Sequence, residues 1–183
     1  VLTTLPRIER NRAEALERAV LQVLPGAVGF RRHDLGRDVY AAFDPDGQLV
    51  GVALEAQAMG YQDTVRILYG YDPARQAVVG MRVLESRETP GLGDRIETDP
   101  VFTANFEALD VSLAADSVSL AHPIELVKPG QKTRPWQIDA ISGATISSAA
   151  VAHMLQESTA RWVPLLHARQ GEFTVTPEGA DAD

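Results

Sequence analysis

Two stretches of the chain follow one plan. VYAAFDPDGQLVGVALEAQ at 39–57 and VRILYGYDPARQAVVGMRVLES at 65–86 each set an apolar run, a turn opened by Asp-Pro, a Gln and a second apolar run in the same order. Asp44-Pro45 with Gly47, and Asp72-Pro73, supply the turn chemistry, and the β-branched and aromatic flanks supply strand propensity. Each stretch predicts a β-hairpin, so the fold must accommodate at least four antiparallel strands. The likeness is too short for a repeat architecture.

The rest of the chain supplies helices and loops. From Pro6 to Leu24, Ile8, Ala13, Leu16, Ala19, Val20, Val23 and Leu24 recur near a 3.6 period between Arg and Glu, which predicts an amphipathic helix stopped by Pro25-Gly26. Pro90, Gly91 and Gly93 interrupt the pattern; a short helix is expected from about Asp94 and another within PVFTANFEALD. One or two short strands are expected in DSVSLAHPIELVKPGQKTRPWQIDA. A long helix is expected from Ser147 to about Arg169, with Pro164 kinking or breaking it. The fold class is α+β: an antiparallel sheet built from hairpins, flanked by the N-terminal helix and by the C-terminal helix that follows SGAT. Residues 1–170 read as one domain, including the helix at 1–24, and 171–183 as an acidic, disordered tail.

Composition narrows the function. The net charge is −8 and no long Lys/Arg run is present, which argues against a nucleic-acid partner. With no cysteine, thiolate metal sites, iron–sulfur ligation and cysteine nucleophiles are excluded. His33, His122, His153 and His167 show no HxxxH or HxH spacing, so no metal site is expected. There is no GxSxG elbow, and Gly91-Leu92-Gly93 lacks the third glycine and the βαβ context of a dinucleotide fingerprint. Trp136 and Trp162 read as core or interface residues, with Trp136 close to the segment described next.

That segment is DAISGATISSAA, residues 139–150, which gathers small and hydroxylated residues at the mouth of the long helix. Helix capping alone would account for Ser and Thr there. The same helix entrance is also an anion site, because its first N–H groups lack partners and the macrodipole is positive, and small residues let a phosphate approach. A threonine hydroxyl in that position can cap, or it can carry a phosphate-bearing ligand covalently.

Asp139-Ala140-Ile141-Ser142-Gly143-Ala144-Thr145 has the form DxxSGAT and resembles the flavinylation motif of the FMN-binding domains of the Rnf and Nqr electron-transport complexes. RETPGLGDRI at 87–96 resembles the ETPGLG segment that the family places against the flavin ring, and GYQDTVRILYGYDP at 60–73 resembles the strand that precedes it. The resemblance spans roughly residues 8–165 and is nearest to the G subunit of the Rnf complex. Gln62-Asp63 depart from it, standing where the family often has a second Gly.

The resemblance implies covalent FMN on Thr145 through a phosphoester, installed by a separate flavin transferase from FAD. It implies that Gly143 and Ala144 allow close approach, and that Ser142 and Ser147 either donate to the phosphate or merely cap. Ile141 and Leu92 are candidates for covering the ring, Glu88 and Thr89 for its polar edge with Gly93 in the same turn, and Lys128 for the phosphate or ring. Asp139 either fixes the turn or is read by the transferase. The implied function is a relay of electrons between other subunits of a membrane ion-translocating oxidoreductase complex, without independent catalysis. The implied location is the periplasmic side of a bacterial inner membrane, anchored by an N-terminal helix that this sequence does not include. A flavin-binding sensory or regulatory domain, and a structural module in which SGAT is only a cap, are the alternatives.

Overall fold

The computed structural model describes residues 4–59, 64–85 and 95–173. Helix α1 (Thr4–Val23) leads into β1 (Gly29–Asp34), β2 (Asp38–Phe43), β3 (Leu49–Met59), β4 (Thr64–Asp72) and β5 (Ala77–Glu85). Two short helices, α2 (Arg95–Thr98) and α3 (Pro100–Ala104), and a 3₁₀ turn at Asn105–Glu107 come next. Strands β6 (Leu109–Asp110), β7 (Glu125–Val127) and β8 (Gln137–Asp139) precede α4 (Thr145–Ala168) and α5 (Gln170–Phe173). Strands β1 to β6 form one antiparallel sheet in sequential order, and β7 and β8 form a separate parallel pair.

Both expected hairpins are present, as β2–β3 and β4–β5. Their Asp residues shape the turns: Asp44 Oδ1 accepts the N–H groups of Asp46 and Gln48, each at 2.9 Å, and Asp72 Oδ1 accepts that of Ala74 at 2.9 Å. Strand alternation divides the apolar residues between two faces. Tyr40, Ala42, Ala53 and Leu68 meet Ala19, Val20, Val23 and Leu24 around α1. Val39, Ala41, Val52, Leu54, Ile67, Tyr69 and Tyr71 form the main core with Val151, Met154, Leu155, Trp162 and Val163 of α4, and with Phe102, Phe106 and Phe173. Phe173 also packs edge-to-face on His33, with ring centroids 5.0 Å apart.

The end of α1 lies almost on the sheet backbone. Gly70 and Gly80 face each other across β4 and β5, and a Cβ placed on them would stand 2.1 and 2.5 Å from the carbonyl oxygen of Val23. Only a residue without a side chain fits there.

Three features depart from the sequence reading. Helix α4 starts at Thr145, two residues earlier than expected, and runs unbroken through Pro164. Proline removes the bond to the carbonyl four residues back and crowds that carbonyl, and Ala160, which owns it, is exposed to solvent, where water can take the bond's place. Strand β1 carries Arg31, Arg32 and His33 and gave no apolar alternation to read. The strands expected between 116 and 140 pair in parallel, a pairing for which no turn signal exists.

Candidate functional site

The 139–145 segment leaves β8 and turns sharply into α4. The N–H of Ala140 donates to the carbonyl of Val127 at 2.9 Å, which extends the β7–β8 pairing by one step. Ile141, 3% exposed, packs in the main core, so its side chain supports the segment from beneath. Ser142 and Gly143 are exposed, and Gly143 has φ +82°, the left-handed conformation that glycine adopts at little cost. The N–H of Ala144 closes the turn on the carbonyl of Ile141 at 3.0 Å. Thr145 is then the first residue of α4, and it is exposed.

The residue at the N-cap position is not one of the hydroxylated ones. The N-cap position falls on Ala144, and no side chain caps the helix there. The α4 entrance therefore has no capping bond from its own N-cap residue. Ser148 is completely buried and works internally, its hydroxyl accepting the N–H of Ile141 at 3.0 Å and donating to the carbonyl of Ala144 at 2.8 Å.

Two side chains from the segment after β5 hold the loop from outside. Asn105, 3% exposed, grips Asp139 by its backbone: Oδ1 accepts the Asp139 N–H at 3.2 Å and Nδ2 donates to the Asp139 carbonyl at 3.4 Å. Its Nδ2 also reaches the Phe102 carbonyl at 3.0 Å, and its Oδ1 accepts from Lys132 Nζ at 3.3 Å. The Asp139 carboxylate accepts the backbone N–H of Lys132 at 3.0 Å, a bond internal to the turn. Burial pushes the Lys132 ammonium below the ordinary lysine range, and the neighbouring Asp139 charge opposes that shift. On the other side, the guanidinium of Arg95 donates to the carbonyl of Ser142 and pairs with Asp99 at 3.3 Å. Asp99 is fixed as the cap of α3, its Oδ1 accepting the Phe102 N–H at 3.0 Å.

The structure therefore brings Ile141, Ser142, Gly143, Ala144 and Thr145 together in one turn. Lys128 is exposed just past β7, next in the chain to Val127, whose carbonyl Ala140 meets. Glu88, Thr89, Leu92 and Gly93 lie outside the described residues. Trp162 is buried in the core, while Trp136 is half-buried and stacks on His122 at 3.7 Å. Beside the motif, Pro100, Val101, Ala104, Asn105, Lys132 and Asp139 line a cleft of about 390 Å³. Val101 and Ile146 are large apolar side chains left 63% and 56% exposed. Sequence reasoning passed over Arg95, Asn105 and Ser148. Only Ser148 carried a signal, as one of the hydroxyls gathered after SGAT.

A family model described as an FMN-binding domain matches residues 60–160. The chain belongs to the FMN-binding domain family. Its curated relatives include the G subunits of two ion-translocating oxidoreductase complexes. That of Methanosarcina acetivorans is 34% identical over 164 residues, covering 85% of this chain and 79% of the relative. That of Haemophilus influenzae strain PittEE is 33% identical over 144 residues, covering 78% of this chain and 61% of the relative, so the chain spans about three-fifths of that protein. Among solved structures, NqrC of Shewanella oneidensis shares the fold with a TM-score of 0.60 at 20% identity, covering 84% of this chain and 73% of that one. The C subunit of the Na⁺-translocating NADH-quinone reductase from Parabacteroides distasonis gives 0.58 at 28% identity, covering 70% and 62%. Among the described residues of this family member, no helix is long and apolar enough to cross a membrane.

FMN fits what these residues offer. Its phosphate needs donors and positive potential, available at the α4 entrance. Its ring needs apolar cover, and Ile146 is exposed directly beside Thr145.

Proposed function

We propose that this FMN-binding domain carries its flavin covalently on Thr145 and relays electrons within an ion-translocating oxidoreductase complex. The observation that carries the reading is an exposed threonine at the first position of α4, in a loop whose neighbouring backbone groups are held by Ser148, Asn105 and Arg95. In the attachment step the Thr145 hydroxyl oxygen attacks the FMN-side phosphorus of FAD. The Oγ–P bond forms, the pyrophosphate P–O bond breaks, AMP leaves with the bridging oxygen, and the hydroxyl proton is released. No redox change accompanies the transfer, which a separate flavin transferase catalyses.

Bound FMN supplies chemistry that joins two-electron donors to one-electron carriers. The chain's own residues hold and orient it. Gly143 and Ala144 let the phosphate come close, Ser142 borders it, and Lys128 adds a cation on the β7 side. Glu88, Thr89, Leu92 and Gly93 supply ring contacts from the ETPGLG segment. Tethering keeps the cofactor at an effective concentration on the order of millimolar, which matters for a domain working at the periplasmic face, where free FMN is scarce. The electron donor and acceptor are neighbouring subunits of the complex.

Intact mass with and without an FAD-dependent flavin transferase tests the reading. A gain of one FMN-phosphoryl unit, mapped by peptide sequencing to Thr145, is expected. Unmodified Thr145 after exposure to a transferase that labels a known acceptor overturns it.

A further inference from the structure

We propose that Arg95 is the positioning residue for modification of Thr145; this rests on the flavinylation reading above. Arg95 stands 50 positions before Thr145 and outside the DxxSGAT run. Its guanidinium nevertheless donates to the carbonyl of Ser142, the residue just before the left-handed turn at Gly143. The side chain is braced from behind by Asp99, which α3 holds in place through the Phe102 N–H. A planar, doubly anchored fork fixes the direction of the carbonyl it grips, and with it the peptide plane joining Ser142 to Gly143.

That plane sets where α4 begins. With no side-chain cap at Ala144, the register of the first turn depends on what holds the loop behind it. Ser148 fixes Ile141 and Ala144 from within the helix, and Asn105 fixes Asp139 at the far end. Ser142 and Gly143 lie exposed between those supports, and among the described residues Arg95 is the side chain that reaches them. Without it the exposed pair is free to rotate, and the Thr145 oxygen is less often in line with the phosphorus it must attack. Misplacement of a nucleophile by about 1 Å costs on the order of a hundredfold in rate. Docking of the domain on its transferase does not depend on that plane, so the loss falls on the maximal rate.

The experiment measures the rate of Thr145 flavinylation by intact mass across a range of domain concentrations. It compares wild type, Arg95→Lys and Arg95→Ala, the last with and without millimolar methylguanidinium. Arg95→Ala is expected to lose about tenfold or more in kcat with KM within about twofold, and methylguanidinium to restore part of it. Arg95→Lys should fall between, because an ammonium cannot grip Ser142 and Asp99 in one plane. Labelling of Arg95→Ala at the wild-type rate, or a change in KM alone, overturns the inference while leaving the flavinylation reading intact. A loss that methylguanidinium and Lys both fail to rescue also overturns it, and assigns Arg95 to fold maintenance. Failure of wild type itself to label at Thr145 overturns both.

Discussion

The hydroxyl of Ser148 accepts the backbone N–H of Ile141 at 3.0 Å, reaching back from inside α4 to the loop that feeds it. The same oxygen donates to the Ala144 carbonyl, so one buried atom ties both sides of the turn before Thr145. Ser148→Ala leaves the Ile141 N–H in the core without a partner. The expected cost is about 1–3 kcal/mol of unfolding free energy, read from urea titrations. A change under about 0.5 kcal/mol, the size of an ordinary surface substitution, argues that water replaces the hydroxyl.

Asn105 makes an analogous connection from the opposite side. Its carboxamide meets both the N–H and the carbonyl of Asp139, as an added strand would. Asn105→Leu keeps a side chain of similar size but offers neither donor nor acceptor, and is expected to destabilise by about 1–3 kcal/mol. Hydrogen exchange locates the effect: the Asp139 amide should lose protection well ahead of the strand amides of β3 and β4. Uniform loss across the sheet would assign Asn105 to the core at large instead of to this turn.

What the sequence revealed and what it hid follow from the range of each interaction. The hairpins were legible because Asp44 and Asp72 hydrogen-bond within their own turns, and the motif because its residues are contiguous. Amphipathic periodicity placed α1 and α4 to within a few residues. Strand β1 was hidden by its charged side chains, and the β7–β8 pair by the lack of any local mark for parallel pairing. Arg95 and Asn105 were hidden for a related reason. An Arg and an Asn are unremarkable as letters, and they acquire their roles only when α2 and α3 fold against a loop 34 to 47 positions away.

The glycine pair under α1 yields a steric prediction. At Gly70 an added Cβ would sit 2.1 Å from the Val23 carbonyl oxygen, closer than any real contact. Gly70→Ala must push the end of α1 off the sheet, at about 1–3 kcal/mol or more. The amides of Ala19 to Val23 should exchange faster in that variant while those of α4 do not. Equal protection of α1 in both proteins would mean that the helix end is not seated on β4.

Alkaline stability follows from two buried phenols. Burial pushes Tyr69 well above the ordinary value of 10.0, with the Ser158 hydroxyl at 2.6 Å as a smaller opposing influence, and burial likewise raises Tyr71. A raised folded-state pKa means that the native protein keeps a proton which the unfolded chain releases above about pH 10. The stability from these residues is complete below pH 10.0 and is lost as the pH rises through their folded-state values. Ultraviolet titration should show both tyrosinates appearing together with unfolding. Smooth ionisation of all the tyrosines near pH 10 in a folded protein would contradict their burial.

Thr145→Ala separates the chemistry of the attachment site from its architecture. In most helices an alanine at the entrance removes a cap worth about 1 kcal/mol, but the cap position here is Ala144, with no side-chain bond to lose. The Thr145 side chain is exposed, so the variant should unfold within about 0.5 kcal/mol of wild type. Its covalent flavin, by contrast, should vanish, because the neighbouring hydroxyls are placed differently: Ser148 is buried and bonded at both ends, and Ser142 lies on the far side of the left-handed turn at Gly143. Thr145→Ser restores a hydroxyl at the same backbone position and should regain labelling at a reduced rate. Fluorescence of the denatured protein reads the result without interference from loosely held flavin. A bright band in Thr145→Ala would place the ester elsewhere and remove the role assigned to the start of α4.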